Sequence, residues 1–264
     1  MTADATLETS VAESLETDRA LLPYMPELLE DLWALGADPE MVVRLLKPLL
    51  PTNAHVLDLA CGKGAVSVAL ASRLGCRVFG LDAMSAFVET ARAMAATHDV
   101  AHLCHFAVGD IRAYDPGFEQ YDAVLLGATG PILGSLRDTV GQLRRMVKPG
   151  GYIVLDDAWR VDTEAPLSAP ASDYPQRDEA LKALTAFGDA IIVEEQLALE
   201  HLREENARNN AFIQKRVDTL VERCPSRAAL FCAYASRQLH ECYLLEAVYR
   251  CVVWILQTRT AMTR

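Results

Sequence analysis

Asp58 interrupts a short apolar run and is followed by two glycines, in Val56-Leu57-Asp58-Leu59-Ala60-Cys61-Gly62-Lys63-Gly64. A carboxylate entering such a loop can grip a polar ligand, because glycine lets the backbone approach it closely. Asp82 closes a second apolar run, and an acid there can accept hydrogen bonds from both hydroxyls of a ribose. Asp110 follows Gly109 at the end of a third. Asp156 and Asp157 end a later run and are the candidate general bases, with Trp159 beside them as a wall for a substrate. Each acid also has a plainer use, as a helix cap or a loop carboxylate. His55, His98, His102, His105, His201 and His240 lack metal-ligand spacing, and the seven cysteines contain no C-x-x-C pair. Neither a metal site nor a disulfide framework is therefore signalled.

These residues need elements to hold them. From Ala54 the pattern alternates strand and helix: strands over 55–59, 77–81, 103–108, 123–126 and 152–156, with helices over 64–74, 85–97 and 135–146 between them. Repeated alternation of this kind means a parallel sheet with right-handed crossovers. Ser85 and Ser135 stand where helix caps belong, and Lys148-Pro149-Gly150-Gly151 reads as a turn before the fifth strand. Upstream, Pro26 opens a helix predicted over 26–35 that stops at Gly36, and Asp38-Pro39 opens a second. Residues 166–175 read as loop, 190–193 as a sixth strand and 251–256 as a seventh. Between the last two lies a charged helical hairpin of about 197–246, with Ser226 as a cap in its middle.

The loop has two readings. Gly62-Lys63-Gly64-Ala65-Val66-Ser67 is a degraded dinucleotide fingerprint, with Ser67 where Gly or Ala is expected. The segment Asp58 to Gly64 instead resembles motif I of the class I (Rossmann-like) S-adenosylmethionine (SAM) dependent methyltransferases. Three further segments decide between them: Gly109-Asp110-Ile111, Tyr121-Asp122-Ala123-Val124-Leu125-Leu126-Gly127 and Lys148-Pro149-Gly150-Gly151 each resemble that family's signature at the matching place. The resemblance covers about 54–157 well. Two departures mark it: Ala60 stands where many members have glycine, and Lys63 is unusual in the loop.

The resemblance implies an α/β fold with a seven-stranded, mostly parallel sheet whose antiparallel last strand inserts between strands five and six. Helices cover both faces, with a helical cover over 1–53 and a methyltransferase domain over 54–264 that carries the hairpin insertion. It implies SAM as cofactor and S-adenosylhomocysteine as product. The cofactor-binding residues would be Asp58, Ala60, Cys61, Gly62, Asp82, Ala83, Asp110, Ile111 and Gly127. Within that set Cys61 would act through its backbone amide, Asp110 would accept the adenine amino group, Ile111 would pack on the ring, and Gly127 would let the methionyl part pass. Tyr24 and Trp33 are candidates for covering the pocket. No (Asn/Asp)-Pro-Pro-Tyr motif follows the fourth strand, which reads Gly127-Ala128-Thr129-Gly130-Pro131 and so argues against amino methylation of the adenine or glutamine type.

Composition narrows the partners. The chain has 264 residues and a net charge of −11, whereas a nucleic-acid backbone binder is normally basic. No apolar run reaches the ~18 residues of a membrane helix, and residues 1–17 lack the pattern of a signal peptide. With seven scattered cysteines this makes the expectation a cytoplasmic enzyme methylating a small molecule, without nucleic-acid or membrane partners and with no metal. The hairpin is expected to be a lid, a homodimer contact, or both. The rival readings are a SAM-binding regulator without catalysis and an NAD-dependent oxidoreductase.

Overall fold

The computed structural model describes residues 7–9, 11–12, 15, 17–161 and 174–259. After a 3-10 segment, Arg19–Tyr24, the elements in chain order are α1 (Met25–Leu28), α2 (Pro39–Leu46), β1 (His55–Leu59), α3 (Ala65–Leu74), β2 (Arg77–Asp82), α4 (Ser85–Thr97), β3 (Cys104–Val108) and β4 (Tyr121–Gly127). They continue with α5 (Leu136–Leu143), β5 (Val147–Arg160), α6 (Arg177–Leu184), β6 (Ala190–Gln196), α7 (Leu199–Arg223), α8 (Ala228–Ala247) and β7 (Tyr249–Gln257). Two compact units share the chain: one holds Met1–Trp33, Ala158–Tyr174 and Gln196–Cys251, the other Ala34–Asp157, Pro175–Glu195 and Val252–Arg264.

The seven strands form one sheet in the order β3-β2-β1-β4-β5-β7-β6. The first five pair in parallel, with Asp58 opposite Gly80 on one side and Leu125 on the other. The β7 strand runs against β5: Gly151 O accepts from Thr258 N at one end and Val248 O accepts from Val161 N at the other. The antiparallel last strand thus lies between the fifth and sixth, as the resemblance implied. Central strands are apolar on both faces because both faces are covered, and Val56, Leu57, Ala123, Val124, Ile153 and Val252–Leu256 are all buried. In a parallel sheet of this build, ligands lie beyond the carboxyl ends of the strands.

Four local expectations are corrected. The helix predicted over 26–35 is a single turn, α1, after which the chain runs on through turns and bends. Its end is needed elsewhere: Leu35 reaches Gly62, and a Cβ on Gly36 would collide with the Ala128 methyl. Ser85 is the first residue of α4 rather than its cap, which is Met84. Ser226 lies in a 3-10 turn, and α8 starts after it. Lys148-Pro149-Gly150-Gly151 falls inside β5, where pairing jumps from Val147 opposite Tyr121 to Tyr152 opposite Ala123. The turn residues are bulged out, with Gly150 at φ +82°, and Gly151 O is still satisfied, by Thr258. Ser135 caps α5 in a reciprocal box with Asp138, and Asp38 caps α2 through Glu40 N. Of residues 166–175, only 174 and 175 are described.

In the first unit, α7 and α8 pack as a hairpin around Ile213, Val217, Leu220, Phe231 and Tyr234. The N-terminal segment docks on it: Tyr24 meets Phe231 edge-on at 5.1 Å, and Arg216 forks onto Asp31 at 2.6 and 2.8 Å.

Candidate active site

The β1 strand delivers Asp58 into the sheet interior, where it is 6% exposed. Ser67, one turn into α3, donates its hydroxyl to Asp58 Oδ2 at 2.5 Å. Burial pushes this carboxyl up to about 6, with that hydrogen bond working against the shift. The loop then reverses direction through Ala60 at φ +55°, Gly62 at +52° and Gly64 at +76°. At Gly64 no other residue fits: a Cβ would lie 2.8 Å from the Ala91 methyl and 3.1 Å from Phe106 Cζ. Ala60 adopts the left-handed conformation that a glycine would reach without strain, at a cost of roughly 1 kcal/mol.

Asp82, at the carboxyl end of β2, ties this loop to the next. Its Oδ2 accepts from Gly62 N and its Oδ1 from Met84 N, both at 2.8 Å. Burial raises its pKa. Each oxygen has two acceptor sites and spends one on those amides, so one remains on each oxygen. Two free acceptors on one buried carboxylate suit the two hydroxyls of a ribose. Gly109 N donates to Asp82 O at 2.9 Å, which brings Asp110 alongside. Both oxygens of Asp110 are held by Arg112, and this pairing keeps its carboxyl below the usual carboxylate range. Ile111 beside it is buried.

Cys61 lies between the two carboxylates, Asp58 and Asp82. Its amide donates to Leu81 O at 3.1 Å, and its sulfur is turned towards Gly80 on β2. The surroundings raise its pKa well above normal, burial first and the charges of Asp58 and Asp82 next, so the thiol is inert. Lys63 is 4% exposed, with its ammonium 5.7 Å from the centre of the Phe87 ring.

The ends of β4 and β5 form the other half of the site. Gly127 pairs with Asp156, and what the missing Cβ of Gly127 admits is Ala37, 3.2 Å from where that Cβ would lie. The strap Leu35-Gly36-Ala37 therefore crosses the ends of β1 and β4, its Leu35 Cδ1 3.3 Å from the Cβ position of Gly62. Sequence reasoning missed this strap, whose only signal was Gly36 as a helix stop. The backbone carbonyl of Asp156 accepts from Ala128 N at 2.9 Å, but its carboxylate has no hydrogen-bond or ion-pair partner among the described residues. Protein surrounds it without closing it off from solvent, and its carboxyl is pushed up to about 7, first by burial and then by the charges of Asp157 and Asp38.

The structure thus brings Asp58, Ala60, Cys61, Gly62, Asp82, Ala83, Asp110, Ile111, Gly127, Asp156 and Asp157 into one unit. Tyr24, Trp33 and Trp159 belong to the other unit. There Tyr24 lies between Phe231 and the guanidinium of Arg227, and the indole N–H of Trp159 is buried without an acceptor among the described residues. Among the described residues no group of His, Cys, Asp or Glu could hold a metal ion, and all seven cysteines are free thiols.

Residues 56–151 match the methyltransferase domain family. The chain is 30% identical over 142 residues to malonyl-[acyl-carrier protein] O-methyltransferase of Enterobacter lignolyticus, covering 50% of this chain and 54% of that one. It is 32% identical over 102 residues to the chloroplastic tocopherol O-methyltransferase of Arabidopsis thaliana, covering 38% of this chain and 29% of that one. This chain therefore spans about half the length of the first relative and less of the second. Among solved structures, a SAM-dependent methyltransferase from Geobacter sulfurreducens in complex with S-adenosylhomocysteine superposes with a TM-score of 0.76 at 20% identity. That match covers 89% of this chain and 97% of the other and shows a shared fold.

Proposed function

We propose that this chain, a class I SAM-dependent methyltransferase by fold and by the family of residues 56–151, transfers the methyl group of SAM to a small-molecule acceptor. One observation carries the reading: Asp82 binds the β1 loop and the β2 loop with one acceptor site per oxygen and keeps the other site of each free. A nucleoside ribose supplies the two matching donors. Asp110 then serves the adenine amino group, with Ile111 and Ala83 against the ring, while Gly62 and Gly127 lie at the methionyl end under the strap.

SAM supplies an already electrophilic methyl group. The chain has to exclude water, align the acceptor and, for a hydroxyl or similar nucleophile, take up a proton. Asp156 fits the last task, since a carboxyl poised near 7 both holds and releases a proton at neutral pH. Asp157 next to it acts through its charge. The relatives' names, which refer to O-methylation of a malonyl carrier protein and of tocopherol, support an oxygen acceptor. The net charge of −11 supports an acceptor other than nucleic acid.

The seven cysteines, none of them in a disulfide, fit a reducing compartment, the cytoplasm. Among the described residues no helix is long and apolar enough to cross a membrane. Leu239 and Tyr243, exposed one turn apart on α8, support the hairpin as a homodimer contact. Titration calorimetry tests the cofactor reading. SAM and S-adenosylhomocysteine should bind and NAD should not, and Asp82→Ala should weaken S-adenosylhomocysteine by about 100-fold, the loss of two hydrogen bonds to a charged acceptor. Equal affinity in parent and variant would sink it. Transfer of label from SAM to a metabolite extract separates an enzyme from a SAM-binding regulator.

A further inference from the structure

The α8 helix has an apolar side that its own chain does not use. Phe231, Tyr234 and Leu244 point into the hairpin and are buried. A surface helix normally carries charge on the opposite side. Its neighbour α7 does so, with Glu204, Arg208, Lys215, Asp218 and Glu222 exposed. On α8 the outer side instead carries Cys232, Ala233, Ser236, Leu239, His240 and Tyr243, all exposed, with Leu239 and Tyr243 at 57% and 53%. None of the six is Asp, Glu, Lys or Arg, although the chain has 36 acids and 25 lysines and arginines from which to supply them. A helix that lacks charge on its outer face and is apolar on its inner one is built to be covered on both.

The order of the outer residues says by what. Positions 232, 236, 239 and 243 are spaced by 4, 3 and 4, the repeat by which two helices interlock. Cys232 and Ser236, nearer the amino end, are small, whereas Leu239 and Tyr243, nearer the carboxyl end, are large. A second copy lying antiparallel, with the two-fold axis between 237 and 238, sets large against small in every layer. Tyr243 then meets the partner's Cys232, and Leu239 meets the partner's Ser236. Such a surface is its own complement, as a closed two-fold contact requires. Parallel pairing would set Tyr243 on the partner's Tyr243 and leave the small end unfilled. Charge favours the same occupant. Two chains of net charge −11 repel one another, so they can approach at an uncharged stripe, and a charged partner would find no counter-charge on it.

We infer that the outer face of α8 docks the same face of a second copy of this chain, antiparallel and in the register that pairs 232 with 243 and 236 with 239. The inference rests on the homodimer reading above and adds to it the face, the direction and the register. Because the contact is apolar and the chains are alike in charge, salt strengthens it by screening their repulsion.

Sedimentation equilibrium of the full chain tests this by measuring the dimer dissociation constant. The parent should be dimeric, more tightly so as sodium chloride is raised. Leu239→Glu should weaken the dimer by about 100-fold or more, since the two-fold axis buries the new charge twice. Leu239→Ser alone empties the two central layers and Ser236→Leu alone overfills them, and each should weaken it by about tenfold or more. The exchange Ser236→Leu with Leu239→Ser restores one large and one small residue to each of those layers, so it should return the constant to within about threefold of the parent. All these positions are exposed in the single chain, and thermal melts verify that the variants fold. A parent that stays monomeric sinks the homodimer reading and this inference with it. A dimer that survives Leu239→Glu, loosens as salt is added, or is not recovered by the exchange overturns the inference while leaving dimerisation itself standing.

Discussion

Replacing Asp156 by asparagine should make the ligand-free protein more stable at alkaline pH while impairing turnover. In the folded chain burial pushes this carboxyl up to about 7, against 3.8 for a free aspartate side chain, and no described residue offers its carboxylate a partner. The sign follows from linkage. Below about pH 4 the group is protonated in both states and contributes nothing. Between 4 and 7 the unfolded chain has released a proton that the folded chain retains, so stability is lost as pH rises, and the loss levels off above 7. A shift of about three units would correspond to roughly 4 kcal/mol at most, and access of solvent to the group reduces this to about 1–2 kcal/mol. Asp156→Asn cannot ionise, and it also relieves Asp157 and Asp38 of a like charge. Urea unfolding at pH 4.5 and pH 8 should therefore show the variant equal to the parent at the lower pH and about 1–2 kcal/mol more stable at the higher. Asp58, which titrates at about 6, is common to both proteins and cancels in the difference. If Asp156 is the base, kcat should drop by about 10²–10⁴ with the affinity for SAM unchanged. Parallel stability profiles would refute the electrostatic argument, and kcat within about threefold of the parent would remove Asp156 from the chemistry.

Gly64 and Gly75 are both left-handed, at φ +76° and +67°, but only Gly64 is packed against neighbours. Gly75→Ala should cost about 1 kcal/mol for the backbone alone, and Gly64→Ala about 2–5 kcal/mol once the clash with Ala91 is added, both read from urea midpoints. Equal losses would mean that the Gly64 contact yields. Gly36→Ala should push the strap off Ala128 and weaken S-adenosylhomocysteine binding by about tenfold, and an unchanged Kd would mean that the strap does not border the cofactor.

The parts of the fold legible in sequence are those where local pattern and tertiary demand coincide. Strand β1 is 55–59 both by pattern and by structure, because a parallel strand covered on both faces must be continuously apolar and Asp58 is the one exception. The glycines at 64 and 75 frame α3 for the same reason, each standing where the backbone has to turn left-handed. The segment 26–35 failed because its leucines have helical spacing whatever their use. Leu28 and Leu29 are buried close to the one helical turn, while Leu35 is committed to Gly62, a contact made from a bend outside the helix. No periodicity distinguishes the two. The bulge at 148–151 shows the complementary case: proline and glycine correctly mark a turn, yet the sheet pairs on either side of it because β7 supplies Thr258 as an outer partner.

The site divides along similar lines. Asp58, Asp82 and Asp110 were visible as carboxylates placed against apolar runs, where an acid needs a reason to be. What each one does is set by its donors, some distant and some two residues on: Ser67 for Asp58, Gly62 and Met84 for Asp82, Arg112 for Asp110. Those donors carry no pattern. An acid and an arginine two positions apart in a loop fit no helical or strand spacing, and Asp38 signals only a cap although its charge is felt at Asp156. Because an acid that already has donors has only its remaining acceptor sites to offer, counting those sites converts a list of candidate residues into a statement about the ligand. Asp82, with one amide on each oxygen, keeps acceptor sites that the two hydroxyls of a ribose would fill.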